Sequence, residues 1–300
     1  MIFCGLLLNF CSIMITRRDF LQYSLAPLLV SGELASFEKK GFHIGACDWS
    51  LGKSSDPAAF GLAKDIGLSG IMVNMGSEQN DLHLRKKEVQ DLFLRTSKES
   101  GIAISSIAIG ELNNVPYKSD PRTEQWVDDS IDVAERLGVT VILLAFFSKN
   151  DLRNDEAGMK EVISRLKKVS RKAEKKGITL GIESYLDAAG HMRIIDAVGS
   201  ASVKVYYDFR NTADAGHDPI AEFKKLGKEM VCELHMKENG FLLGKGSVDW
   251  KGVSDMLSDV GYHGDHWMQI EGAMPGNLDV LTAYRHNKDF LSSHFTPFKA

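Results

Sequence analysis

"ITLGIES" (178–184), "HMRIIDAVG" (191–199) and "VKVYYDF" (203–209) follow one another along the chain. The first and third are short apolar runs rich in β-branched and aromatic residues. The middle one spaces its apolar residues as an amphipathic helix does and ends in Gly. Strands that are apolar almost throughout belong to a parallel sheet covered on both faces. Parallel neighbours in turn need a crossover, usually helical, between them. This stretch therefore reads as strand, helix, strand, and the same unit recurs in both directions.

Upstream, "FHIGACDW" (42–49) precedes "DPAAFGLAKDIG" (56–67), where Asp56 is expected to cap a helix, Pro57 to take its first position and Gly67 to end it. "GIMVNMG" precedes "KKEVQDLFLRTSKESG", and "IAISSIAIG" precedes "TEQWVDDSIDVAERLG", which puts Trp126, Val127, Ile131, Ala134 and Leu137 on one helical face. "VTVILLAFF" leads to "MKEVISRLKKVSRKAEKKG". Downstream come "DPIAEFKKLG", then "MVCELHMK" with "KGVSDMLSDVG", then "HWMQIEG" with "LDVLTAYRHNKDFLSSHF". About eight βα units in roughly 250 residues match a (β/α)8 TIM barrel. An open doubly wound sheet is the alternative, but no glycine-rich GxGxxG turn follows the first strand.

The 300 residues, 44% hydrophobic and 25% charged with a net charge of −4, are those of an ordinary globular chain. There is no bulk basic footprint for nucleic acid. The basic run "RLKKVSRKAEKK" keeps an apolar stripe of Leu166, Val169 and Ala173, so its cations are expected on a solvated outer face. Four cysteines are too few for a disulfide framework. Two of them fall in the leader, so Cys47 and Cys232, on widely separated strands, are expected as free thiols.

"TRRDFLQ" (16–22), followed by the apolar "SLAPLLVSG", resembles a twin-arginine export signal around Arg17 and Arg18. Residues 1–40 are accordingly expected to be a leader and 41–300 the barrel, with an exported, periplasmic location. The apolar "MIFCGLLLNFCSIM" ahead of the arginines leaves Met14 as an alternative start to Met1. No stretch reaches the ~20 apolar residues of a membrane span.

Chemistry in a barrel sits at the carboxyl ends of the strands. Strands five to eight end "GIES", "VYYDFRN", "CELHMKE" and "MQIEG", placing Glu183, Asp208, His235 and Glu271 at one rim. One carboxylate at a strand end is commonly a helix cap, and one His on an apolar strand is ordinarily a core residue. Four such residues on consecutive strands form a pattern that neither explanation covers. Three carboxylates and an imidazole make a hard, oxygen-rich site for one divalent ion, Mn²⁺ or Mg²⁺, with Zn²⁺ or Co²⁺ as further candidates. Lys237 shares the inward side with His235 and is expected at the rim, holding a substrate oxygen. Glu233 lies deeper, in an internal polar layer.

In their order, "GIES", "YYDFRN", "ELHMKENG", "GKGSVDW" and "MQIEG" resemble the xylose-isomerase-like TIM barrel superfamily. The likeness is to the sugar-phosphate isomerase/epimerase group, which includes the 3-epimerases of D-tagatose and L-xylulose 5-phosphate, and it covers about residues 42–290. The resemblance implies that Glu183, Asp208, His235 and Glu271 bind one divalent metal, with Glu183 and Glu271 also acting as acid/base groups. It further implies that the glycines of "GKGSVDW" let backbone amides approach a ligand, with Asp249 capping the next helix. The chain departs from the better-known members at two places. Asn211 stands where they have His after the sixth-strand Asp, and the segment after His235 offers Lys245 where they have Arg. Asn211, Lys237 and Lys245 are the expected substrate contacts.

The expected activity is metal-dependent isomerisation or epimerisation of a sugar or sugar derivative through an enediolate. A close alternative is a lyase that expels the aglycone of a 3-keto-glycoside by the same chemistry. A zinc-dependent endonuclease of the superfamily and a non-catalytic sugar-binding barrel are the remaining readings. Nothing in the sequence decides between a monomer and a homo-oligomer.

Overall fold

A computed structural model describes residues 42–262 and 266–295. The expected leader and its twin-arginine motif lie outside the described residues. Eight strands run parallel: β1 (His43–Cys47), β2 (Gly70–Asn74), β3 (Ala103–Ile109), β4 (Val141–Phe146), β5 (Thr179–Ser184), β6 (Val203–Asp208), β7 (Val231–Lys237) and β8 (Trp267–Glu271). They pair in sequence order and β8 returns to β1, so the sheet closes as a barrel rather than an open sheet. Closure also leaves, among the described residues, no edge strand with unpaired backbone groups.

The crossovers carry α1 (Ala58–Ile66), α2 (Lys87–Ser100), α3 (Arg122–Leu137), α4 (Glu156–Lys176), α5 (Ala188–Val198), α6 (Phe209–Asp214), α7 (Pro219–Leu226) and α8 (Trp250–Asp259). The final helix, α9 (Val280–His294), follows β8. Gly67, Gly138 and Gly177 end their helices at φ 88°, 73° and 67°, a region closed to most side chains, which is why these helices stop where the sequence has Gly. Asp56 accepts the N–H of Ala58, although the helix begins one residue after Pro57's expected place.

Two elements differ from the sequence reading. Helix α5 starts three residues early because Asp187 accepts the Gly190 N–H and caps it there. The short α6 has no apolar period and was not expected; Asp208, the last residue of β6, caps it through the Asn211 N–H.

Trp126, Val127, Ile131, Ala134 and Leu137 of α3 are buried against the sheet, as their spacing requires. So are Leu166, Val169 and Ala173 of α4. The cations of α4 are not merely solvated. Lys168 pairs with Glu124, Lys172 with Asp128 and Asp132, and Lys176 with Asp132 and Glu135 of α3. Cys47 and Cys232 are free and buried. Closure places their strands, β1 and β7, on either side of β8 rather than far apart. Among the described residues no helix is long and apolar enough to cross a membrane.

Buried His191 of α5 couples folding to pH. Its imidazole lies 2.9 Å from Ser184 Oγ and 3.0 Å from the Asp187 carbonyl, and burial pushes its pKa down to about 4. A depressed base is neutral when folded, so its contribution is complete above the unfolded value of about 6.5 and is lost as pH falls toward 4. That shift is worth on the order of 3 kcal/mol. Unfolding midpoints of His191→Gln should therefore fall less between pH 7 and pH 4.5 than those of the wild type. Parallel losses would assign the acid sensitivity to other groups.

Candidate metal centre and active site

Strand register builds the site in layers. Across β6 and β7, Tyr206 sits beside Glu233 and Asp208 beside His235; across β7 and β8, Lys237 sits beside Glu271. Residues paired in register point to the same side, so these six side chains share the barrel interior. The lowest layer is the expected internal polar one. Glu233 is 2% exposed and accepts hydrogen bonds from Ser106 Oγ and Tyr206 OH, each at 3.0 Å. Burial outweighs these bonds and pushes its carboxyl up to about 8. Gln269 extends the layer by donating to Ser105 Oγ at 2.7 Å.

Above it, one ligand-type atom from each of Glu183, Asp208, His235 and Glu271 lies within 4.8 Å of the other three. Nδ1 of His235 is 2.9 Å from Glu183 Oε1, 3.6 Å from Glu271 Oε2 and 3.8 Å from Asp208 Oδ2. His235 is fully buried, yet its ring nitrogen faces three carboxylates rather than apolar packing. Burial would depress its pKa, but Glu183 and the other nearby anions hold the imidazole well above its ordinary value.

Asp208 serves two purposes. Oδ1 caps α6, whereas Oδ2 is buried without a hydrogen-bond partner. Burial pushes this carboxyl up and the Glu183 charge adds to the effect, against the pull of Lys237. Glu271 is held the other way. Burial alone would raise it, but the Lys237 ammonium at 2.7 Å and His235 bring it below the usual carboxylate range. Three acidic groups around one imidazole, with Asp208 Oδ2 buried and accepting no hydrogen bond, fit a divalent cation. An unpaired buried carboxylate oxygen is otherwise costly.

The surrounding contacts fix these groups. Asn211 donates through Nδ2 to Glu183 Oε1 at 3.0 Å, so it orients a carboxylate as well as lining the cavity. Lys237 also lines the cavity, with its ammonium on Glu271. Lys245 is exposed and outside the cavity lining.

The amides of "GKGSVDW" are directed elsewhere than expected. Those of Ser247 and Val248 donate to the fully buried carboxylate of Glu238, which also accepts the Trp250 indole N–H. A Cβ at position 246 would fall 2.0 Å from Glu238 Oε2, so Gly246 is there for an internal carboxylate, not for a ligand. Asp249 caps α8 as expected, accepting the Gly252 N–H.

Sequence reasoning missed Trp49 and Cys47. Trp49 Nε1 donates to Glu271 Oε1 at 2.9 Å, and Cys47 Sγ lies 3.3 Å from His235 Nε2. Burial pushes the Cys47 thiol up to about 12, so it stays a thiol. If Nδ1 is lent to a cation, the imidazole keeps its proton on Nε2 and donates it to Cys47 Sγ, the usual way an outer contact selects the tautomer. Both residues come from the end of β1, opposite in sequence to the groups they touch, and no local pattern marks them.

The xylose isomerase-like TIM barrel family matches residues 60–294, and the chain belongs to that family. A D-psicose 3-epimerase of Enterocloster bolteae is 28% identical over 128 residues, a match spanning 40% of this chain and 41% of that protein. Among solved structures, a D-psicose 3-epimerase in the presence of D-fructose superposes with a TM-score of 0.71 at 15% identity, covering 85% of this chain and 99% of the other. A 3-keto-D-glucoside 4-epimerase from E. coli does so with a TM-score of 0.69 at 14% identity, over 84% and 99%. At such identities the structural likeness establishes the fold.

Proposed function

We propose that this protein is a divalent-metal-dependent isomerase or epimerase of a sugar or sugar derivative, working by proton transfer at a carbon beside a carbonyl. The observation that carries this reading is the convergence of Glu183, Asp208, His235 and Glu271, two of which, Glu183 and Glu271, line an open cavity. The epimerases named above support it, since their names describe inversion of a sugar stereocentre.

A cation held by these four residues supplies, when bound, the positive charge that acidifies a carbon next to a carbonyl. The protein supplies the proton transfers. Glu271, kept ionised by Lys237, takes a proton from one face of the carbon. Glu183, on a strand separated from β8 by two others and protonated from solvent beforehand, delivers one to the opposite face, and Glu271 returns its proton to solvent. Removal on one side and return on the other inverts the centre. Trp49 and Asn211 hold the two carboxylates at fixed angles by donating to Oε1 of each. Asp208 and His235, between them in strand order, bind and do not exchange protons with substrate.

Metal analysis of purified protein, followed by a product screen over free ketoses and 3-keto-glycosides, tests the proposal. Metal-dependent inversion or isomerisation supports it. Release of an aglycone instead would assign the same proton abstraction to a lyase.

We also propose export by the twin-arginine route, on the strength of Arg17 and Arg18 with Phe20 and Leu21. Replacing both arginines with Lys should retain the protein in the cytoplasm of an expressing bacterium, as fractionation would show. Unchanged export would overturn this.

A further inference from the structure

The half of the cavity away from the metal centre plays no part in the mechanism above, and its size and charge are informative. The cavity holds about 570 Å³. At roughly 30 Å³ of liquid per water, that is the share of about twenty waters. A single hexose, with about a dozen heavy atoms, leaves a large part of it unfilled.

The remaining space is bounded by the segments that follow β1 and β2, with Ser54 and Asn80, and by the ends of β2, with Asn74, and of β3, β4 and β5. Glu111, just past β3, lines it and is 8% exposed, with Oε2 accepting from Asn114 Nδ2 at 3.2 Å. Phe147, just past β4, and Tyr185, just past β5, meet edge to face with centroids 4.8 Å apart and planes at 72°. The corner is braced on both sides. Asn113 accepts the Phe147 N–H at 2.9 Å, and the guanidinium of Arg153 stacks 4.5 Å from the Tyr185 ring. Among the described residues lining the cavity, Lys237 is the one cation, and Glu271 already holds it at 2.7 Å. A phosphate group here would face Glu111, Glu183 and Glu271 with no cation of its own.

We infer that the cavity is built for an uncharged glycoside: one sugar residue at the metal centre, joined to a second ring seated in the corner of Phe147 and Tyr185. A ring with an apolar face packs on aromatic carbons while its edge hydroxyls donate to a carboxylate. Glu111 supplies that carboxyl group, whose oxygens can accept from a sugar hydroxyl. The inference rests on the sugar chemistry proposed above and adds the size and charge of the substrate.

Equilibrium binding to the Mn²⁺-loaded protein, measured by calorimetry, tests it without requiring turnover. The probes are D-fructose, D-fructose 6-phosphate, lactulose and p-nitrophenyl 3-keto-glucoside. The two-ring compounds should bind about tenfold tighter than fructose, the scale of one good aromatic contact, and the phosphate more weakly than fructose. In Phe147→Ala and Tyr185→Ala the two-ring preference should fall toward unity. In Glu111→Lys the phosphate should gain relative to fructose. Equal binding of one- and two-ring compounds, or tightest binding of the phosphate, overturns the inference and leaves the epimerase reading intact. Failure of every sugar to bind the loaded protein overturns both.

Discussion

Glu271→Gln is expected to cut turnover by about 10²–10⁴-fold, the usual worth of a positioned general acid or base. Gln keeps the length of the side chain and one oxygen, so it can still accept from Trp49 Nε1, now 2.9 Å from Oε1. It cannot take a proton. Lys237 loses its anionic partner, but the group it faces keeps its shape. Turnover is therefore compared with Mn²⁺ at saturating concentration, so that a filled site separates lost proton transfer from the weaker metal binding that the missing charge also brings. Solvent deuterium should still enter the product epimer slowly, because its hydrogen faces Glu183, and not the substrate, whose hydrogen faces position 271. Near-wild-type turnover with metal in place would remove Glu271 from the chemistry.

The second large effect concerns Asp208, whose two oxygens do different work. Asp208→Asn keeps an oxygen for the Asn211 N–H, so the cap of α6 survives. It removes one charge from a cluster in which that carboxyl is already pushed up by burial. The metal-free variant should therefore unfold at the same temperature as the wild type or slightly above it. Metal affinity should fall by at least the ~10–100-fold that losing an outer contact costs such sites. A ligand stabilises the folded state by about 2.7 kcal/mol at a hundred times its Kd, so the rise in midpoint on adding Mn²⁺ should shrink markedly. An equal Mn²⁺-induced rise in both proteins would mean that Asp208 is a cap and nothing more.

These two residues also show what sequence can and cannot reveal. The strands were legible because parallel strands buried on both faces are apolar runs, and their helices because Gly closes them. Once the strands were placed, the ends of β5 to β8 named Glu183, Asp208, His235 and Glu271 directly. The position of each depends only on its own strand. What orients them was hidden, because it arises across the barrel. Trp49 reaches Glu271 across 222 positions of sequence, and Cys47 reaches His235 across 188. Glu238 illustrates the opposite failure. The glycines around Lys245 read as a cradle for a ligand, yet the group cradled is an internal carboxylate only eight residues from Gly246. Loop glycines announce a close approach without saying what approaches.

The central claim is that two carboxylates on opposite sides of a metal centre move a proton off and onto carbon. The most direct measurement is turnover in D₂O, with the hydrogen at the altered carbon of the product followed by NMR. Removal by Glu271 and return by Glu183 require the product to carry solvent deuterium at that carbon, only when metal is present, and deuterated product to form in Glu271→Gln more slowly by the same factor as turnover. A product that retains the substrate's own hydrogen there at full turnover would contradict the account.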